Sequence, residues 1–258
     1  MTRPPVRSAL SNEPHAQLIT HHRLAVDRHI GGLHVDAAIN LSSMWTILFG
    51  PSGSGKSSLL RAACGLLGRE GIRLTRHQGN EASDLILQDK TTFVPPHQRA
   101  IRWAPQNDSL FPHLSVRENI LFGATANGSK PTDETEIIAI FKLEPLLNRF
   151  PHDLSGGERR RVALARAFAA PGCQLMLLDE PFTGLDRTLR DELLPPMRAW
   201  LRDRGIPTLS VTHDVEEAFQ LQAWVVIIRD GKVEDEGYVS KVLGPERERL
   251  LASLAKQH

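Results

Sequence analysis

The sequence predicts an α/β fold with a mainly parallel sheet, an antiparallel β subdomain and an inserted helical subdomain. Three observations point there. Short apolar runs, Trp45 to Phe49, Leu175 to Leu178 and Thr208 to Val211, read as buried strands and alternate with helical patterns. Val225 to Ile228, Asp230-Gly231 and Lys232-Val233 read as a hairpin closed by a tight Asp-Gly turn. Between these, from Asn107 to about Ala165, apolar residues recur at helical rather than strand spacing.

Taken in order, Trp45 to Phe49 is a strand that runs into a glycine-rich loop. Ser57 to Leu67 then reads as a helix that stops near Gly68. From Gly71 to Ile101, Leu85 to Leu87 and Phe93-Val94 sit among turn residues, which suits antiparallel strands. Val116 to Phe122 and Glu134 to Phe141 read as helices, and Arg159 to Ala170 as a strong one. About two helices follow the last hairpin, which leaves no room for a second large domain.

Bulk composition narrows the function classes. The chain has 258 residues, 41% apolar and 24% charged, ordinary values for a globular protein. Its net charge is +1 from 31 basic and 30 acidic residues, so no global field draws it to nucleic acid or an anionic membrane. Cys64 and Cys173 lie in no metal-ligand spacing and suggest no disulfide framework, which favours a reducing compartment. Met1 to Pro14 has no apolar segment of the secretory type. The longest apolar runs, such as Trp224 to Ile228, fall far short of the roughly 20 residues a membrane helix needs. Any membrane role is therefore expected to come through a partner.

The residues with chemistry begin at Gly50, Pro51, Ser52, Gly53, Ser54, Gly55, Lys56, Ser57 and Ser58. A glycine loop between a strand and a helix turns backbone N–H groups toward phosphate oxygens, and the helix dipole adds to this. Lys56 supplies a charge for β- and γ-phosphates, and the Ser57 hydroxyl suits Mg²⁺. Asp179 ends a strand, where a carboxylate beside a phosphate loop can hold Mg²⁺ through water. Glu180 follows on the opposite side and suits a general base. Alone, such an acidic pair is more often a solvated strand end.

Ser155, Gly156, Gly157 and Glu158 open the helix that starts near Arg159. They read either as an ordinary N-cap or as a second anion site. One γ-phosphate does not need two anion sites in one chain; two chains head to tail do. Gln106 and His213 are each weak alone. His15, His21, His22, His29 and His34 read as a polar surface rather than a metal site, because no Cys or paired carboxylates join them. Arg159, Arg160 and Arg161 read as surface and interdomain pairing.

Together the glycine loop, Leu154-Ser-Gly-Gly-Glu158 and Arg161-Val-Ala-Leu-Ala-Arg166 resemble the ATP-binding subunits of ABC transporters, over roughly Leu24 to Gly244. The resemblance implies a P-loop NTPase (RecA-like) core. Residues 1–106 would form its N-terminal part with the β subdomain, 107–165 the helical subdomain, and 166–258 the C-terminal part. It implies that two copies sandwich two ATP molecules. Gln106 would be the hinge glutamine that senses Mg²⁺ and water, and His213 the switch histidine. Asp186, in Thr183-Gly-Leu-Asp186, would lie in a loop crossing the dimer interface. Mg²⁺ would involve Ser57, Gln106 and Asp179.

The segments Pro95 to Ile101 and Asp108 to Asn119 resemble the importer branch, closest to uptake of oxyanions such as molybdate. That implies transmembrane permease subunits as partners, a periplasmic or extracellular solute-binding protein acting indirectly, and a peripheral place on the cytoplasmic membrane face. Nucleic acid is not expected. Two departures stand out. Pro105 precedes Gln106 and stiffens the hinge. Asp27-Arg-His-Ile30 holds no aromatic to stack on adenine, so Arg28 or His29 is the expected substitute and discrimination of ATP from GTP is expected to be poor. The rival readings are an exporting or non-transport ABC ATPase and a small-molecule kinase. A repair ATPase would need a long coiled coil, and a kinase would not need Leu154 to Glu158.

Overall fold

The computed structural model describes residues 20–79, 84–125 and 134–255. It begins with a long hairpin, β1 (Thr20–Ile30) and β2 (Leu33–Leu41). β3 (Trp45–Phe49) leads through the glycine loop to α1 (Lys56–Cys64), followed by β4 (Ile72–Gln78), β5 (Leu85–Gln88) and β6 (Ile101–Ala104). The helical stretch comes next, with α2 (Val116–Thr125), α3 (Glu134–Ile140) and α4 (Gly156–Ala169). β7 (Leu175–Asp179), α5 (Arg187–Asp203), β8 (Thr208–Val211) and α6 (Val215–Leu221) then alternate. The chain closes with β9 (Trp224–Arg229), β10 (Lys232–Tyr238), α7 (Val239–Val242) and α8 (Gly244–Ala255). No helix among the described residues is long and apolar enough to cross a membrane.

All ten strands lie in one sheet, ordered β5-β4-β1-β2-β10-β9-β3-β8-β7-β6. The half from β9 to β6 is parallel throughout. The other half is antiparallel except where β10 meets β2. The parallel strands are buried on both faces, which is why they read as near-continuous apolar runs. Along β7, Leu175 and Leu177 pack with α1 on one face, and Met176 and Leu178 pack with α2, α4 and α5 on the other. The β9–β10 turn puts both Asp230 (φ 48°) and Gly231 (φ 80°) in the left-handed region, as a tight two-residue hairpin loop requires.

The structure differs from the sequence reading at several elements. The helix after the glycine loop ends at Cys64, not near Gly68. Gly65 adopts φ 78° and its N–H closes on the Ala62 carbonyl at 3.0 Å. A side chain at Gly65 would also meet the Arg99 guanidinium at 2.4 Å. The β1–β2 hairpin lies outside the expected strands and carries alternating burial. Helix α5 lies outside the expected helices and contains Pro195 and Pro196. Both avoid its buried stripe of Leu193, Leu194, Met197 and Leu201. Helix α4 runs unbroken from Gly156 to Ala169 and therefore spans the expected division at residues 165 and 166.

Candidate nucleotide site

The glycine loop leaves β3 at Gly50, where an added Cβ would sit 2.1 Å from the Ile228 carbonyl oxygen, so only glycine fits. Gly53 (φ 79°) and Gly55 (φ 103°) then turn the chain into α1. Gly55 is the N-cap and offers no side chain, so the first amides of α1 remain free to face an anion. Lys56 is only 8% exposed. Its ammonium donates to the carbonyls of Gly50 (2.8 Å) and Pro51 (2.6 Å), bending back over its own loop. Burial pulls its pKa down, and the charges of Glu180 and Asp179 push it up. Ser52 and Gly53 are exposed, Ser54 is buried, and Ser57 and Ser58 are half-buried.

Asp179 ends β7 and is 4% exposed. It accepts a hydrogen bond from the Ser57 hydroxyl at 3.2 Å. Burial raises its pKa, and the Ser57 bond opposes this. Ser57, Asp179 and the Gln106 side chain supply the hard oxygen atoms that Mg²⁺ prefers. A buried carboxylate held by one neutral hydroxyl fits a cation beside it.

Glu180 is the first residue past the strand and takes φ 47°, unusual for a residue with a side chain. Its N–H bonds to the Val211 carbonyl at 3.0 Å. Its carboxylate accepts from the Gln106 amide (3.1 Å) and the Thr183 hydroxyl (3.0 Å). His213 Nδ1 stands 3.7 Å from the other carboxylate oxygen, with its side chain 73% exposed. The structure thus brings Gln106, Glu180 and His213 together, each at the carboxyl end of a parallel strand. Ligands of open parallel sheets bind at these ends. Thr183 was read only as part of an interface loop, and no sequence signal tied its hydroxyl to Glu180.

Ser155 to Glu158 form a capping box at the start of α4. Ser155 Oγ accepts from the Glu158 N–H (3.3 Å), and Glu158 accepts from the Ser155 N–H (2.7 Å). These bonds hold the Glu158 carboxyl below its ordinary pKa. Ser155 and Gly156 are exposed. An added Cβ on Gly157 would lie 3.2 Å from Leu185, so this end of α4 leans on the 183–186 loop. Asp186 caps α5 by accepting from the Leu189 N–H at 2.9 Å. Among the described residues, none of Ser155 to Glu158 hydrogen-bonds to the 50–58 loop.

Of the surface and interdomain pairing expected for the basic run at the start of α4, Arg160 makes the interdomain part, from inside the fold. Arg159 donates to the Leu154 carbonyl and Arg161 to those of Phe141 and Lys142. Arg160 is 2% exposed and faces inward. Within the histidine cluster, His22 is buried; burial pulls its pKa down to about 3, so it is neutral. His15 lies outside the described residues. Both expected adenine partners also have contacts within the chain. Arg28 donates to the Glu70 carbonyl at 3.2 Å, and the His29 ring stacks on His34 with centroids 4.6 Å apart. The apolar Leu33 side chain instead lies against the loop, 3.3 Å from an added Cβ on Gly55.

Residues 35–183, more than half of the chain, match the family described as ABC transporter. This chain belongs to the ABC transporter family. Among its relatives, the molybdenum import ATP-binding protein ModC of Rhodopseudomonas palustris is 39% identical over 218 residues, which cover 83% of this chain and 56% of the relative. The Fe(3+) ions import ATP-binding protein FbpC of Pseudomonas fluorescens is 38% identical over 220 residues, covering 83% and 60%. This ABC transporter chain therefore spans little more than half the length of the curated relatives it matches. In fold it is similar to the dimeric ATP-binding cassette MJ0796 bound to ADP and Pi. The TM-score is 0.70 at 24% identity, over 84% of this chain and 98% of that one.

Proposed function

We propose that the chain is the ATP-hydrolysing motor of an ABC importer, in which two copies sandwich two ATP molecules and drive a membrane permease. The observation that carries this reading is the meeting of Gln106, Glu180 and His213 beside the Ser57–Asp179 pair and the Lys56 loop. The amides of Gly53 to Ser58 and the Lys56 ammonium would bind the phosphates; Lys56 must first leave the carbonyls it now contacts. Ser57, Gln106 and Asp179 would hold Mg²⁺, which when bound supplies positive charge to the β- and γ-oxygens. Glu180 would accept a proton from the attacking water while Gln106 orients that water. His213 would contact the γ-phosphate. Ser155 to Glu158, with Ser155 and Gly156 exposed and no hydrogen bond to the 50–58 loop of their own chain, would close over the partner's nucleotide, with Asp186 at the interface.

The test is phosphate release from Mg²⁺-ATP with no phosphoryl acceptor present. The reading expects turnover; turnover only on adding an acceptor would make the chain a kinase. The same assay is expected to run on GTP with a comparable KM, because residues 27–30 hold no Phe, Tyr or Trp to stack on adenine and the phosphates would carry most of the affinity. A strong ATP preference would overturn that part.

The importer reading and a solute such as molybdate or another oxyanion rest on the resemblance to ModC and FbpC. The chain would sit on the cytoplasmic membrane face through its permease, with a solute-binding protein acting from the other side. For the permease contact we favour residues 110–114. Buried Asn119 holds this turn by accepting from the Phe111 N–H (2.8 Å) and donating to the carbonyls of Phe111, Leu114 and Ser115. Phe111 packs on Phe122 (centroids 4.1 Å apart), and Pro112 and His113 are exposed. His113→Glu is expected to leave the melting temperature and ATP binding unchanged and to reduce recovery of permease in a pull-down. Loss of melting temperature together with recovery would mean that His113 serves the fold.

A further inference from the structure

The strongest polar cluster outside the proposed chemistry is Arg160. Its side chain is 2% exposed and every one of its nitrogens is engaged. Nε donates to the Pro181 carbonyl at 3.0 Å. One terminal nitrogen donates to the carbonyls of Asp179 (2.6 Å) and Glu180 (2.9 Å). The other reaches the carbonyls of Pro105 (2.5 Å) and Gln106 (3.4 Å) and the Asp108 carboxylate (3.2 Å). A single guanidinium therefore grips both the segment that carries Gln106 and the turn that carries Asp179 and Glu180.

We propose that Arg160 is a positioning residue that locks the Glu180 turn and the Gln106 hinge to helix α4. This rests on the reading of Glu180 and Gln106 given above. Glu180 sits in a left-handed backbone conformation that persists only where its surroundings hold it. The Val211 carbonyl holds its N–H, and Arg160 holds its carbonyl. A planar fork with five donors can serve carbonyls on two sides at once; a lysine ammonium cannot. Ser155 caps the same helix. Five residues at 1.5 Å each place Arg160 roughly 7.5 Å along the axis. A shift of the Ser155 end is thus carried to the residues around the attacking water. The Asp108 carboxylate offsets part of the cost of burying the guanidinium.

The test compares Arg160→Gln in the full chain with Leu164→Ala, a core variant of the same helix, adjusted by temperature to equal fractions folded. Arg160→Gln is expected to bind ATP within about twofold of the parent and to lose ~10²-fold in kcat, the cost typical of about 1 Å of misplacement. Amide exchange should also speed up at Thr183 and Leu185, whose N–H groups close on Glu180 and Phe182. Parent-like kcat and exchange would overturn the proposal, and so would an equal kcat loss in Leu164→Ala. If Arg160→Gln does not fold, Arg160→Lys takes its place with the same expectations. If the parent chain releases no phosphate, the ATPase reading fails by itself, and the exchange arm still decides whether Arg160 orders the turn.

Discussion

Glu180→Gln is expected to bind ATP as the parent chain does and to hydrolyse it about 10²- to 10⁴-fold more slowly, the usual cost of removing a general base. The substitution is nearly isosteric. An amide oxygen can still accept from the Gln106 amide and the Thr183 hydroxyl, so the turn at φ 47° should survive. What disappears is the carboxylate's ability to take a proton. Nucleotide then remains intact between two chains, and the variant should accumulate as an ATP-bound dimer in sizing experiments. Parent-like turnover would remove Glu180 from the chemistry and leave His213, 3.7 Å away, as the nearest candidate.

Ser155→Arg carries the second large effect. Ser155 caps α4 with its hydroxyl, and loss of such a cap costs about 1 kcal/mol, which the chain should tolerate. The side chain is exposed and makes no hydrogen bond to its own glycine loop. The variant should therefore bind ATP as a monomer with near-parent affinity. It should nevertheless fail to close as a dimer, and its turnover should fall to background, because an arginine fills the space that the partner's γ-phosphate would occupy.

Much of this site was legible in the sequence because its residues cluster at short spacing. The loop from Gly50 to Ser57 and the pair Asp179-Glu180 each follow an apolar run, so strand and chemistry are read together. Gln106 and His213 carry no local pattern and depended on resemblance; only the parallel sheet, with β6, β7 and β8 as neighbours, explains why they meet at Glu180. Arg160 and Thr183 were illegible for a different reason. Burial of an arginine depends on carbonyls brought to it from residues 105 and 181, and a run of three arginines looks the same whichever of them turns inward. The sequence shows no Phe, Tyr or Trp at residues 27–30, but no spacing in it reveals what Arg28 and His29 contact. In β1, Arg28 and His29 point to opposite faces, and each finds a partner of its own.

The central claim is that each working site is built from two chains. Mixing Ser155→Arg chains with Lys56→Ala chains tests it most directly. Lys56→Ala removes the charge for the phosphates from its own loop but keeps an intact Ser155 end; Ser155→Arg has the reverse defect. Each variant alone should be inactive. In the mixed dimer, one site combines the parent Lys56 loop with the parent Ser155 end, so mixing is predicted to restore phosphate release. Inactivity of the mixture although both variants fold and form mixed dimers, or parent-like dimer closure and turnover by Ser155→Arg alone, would contradict the two-chain site.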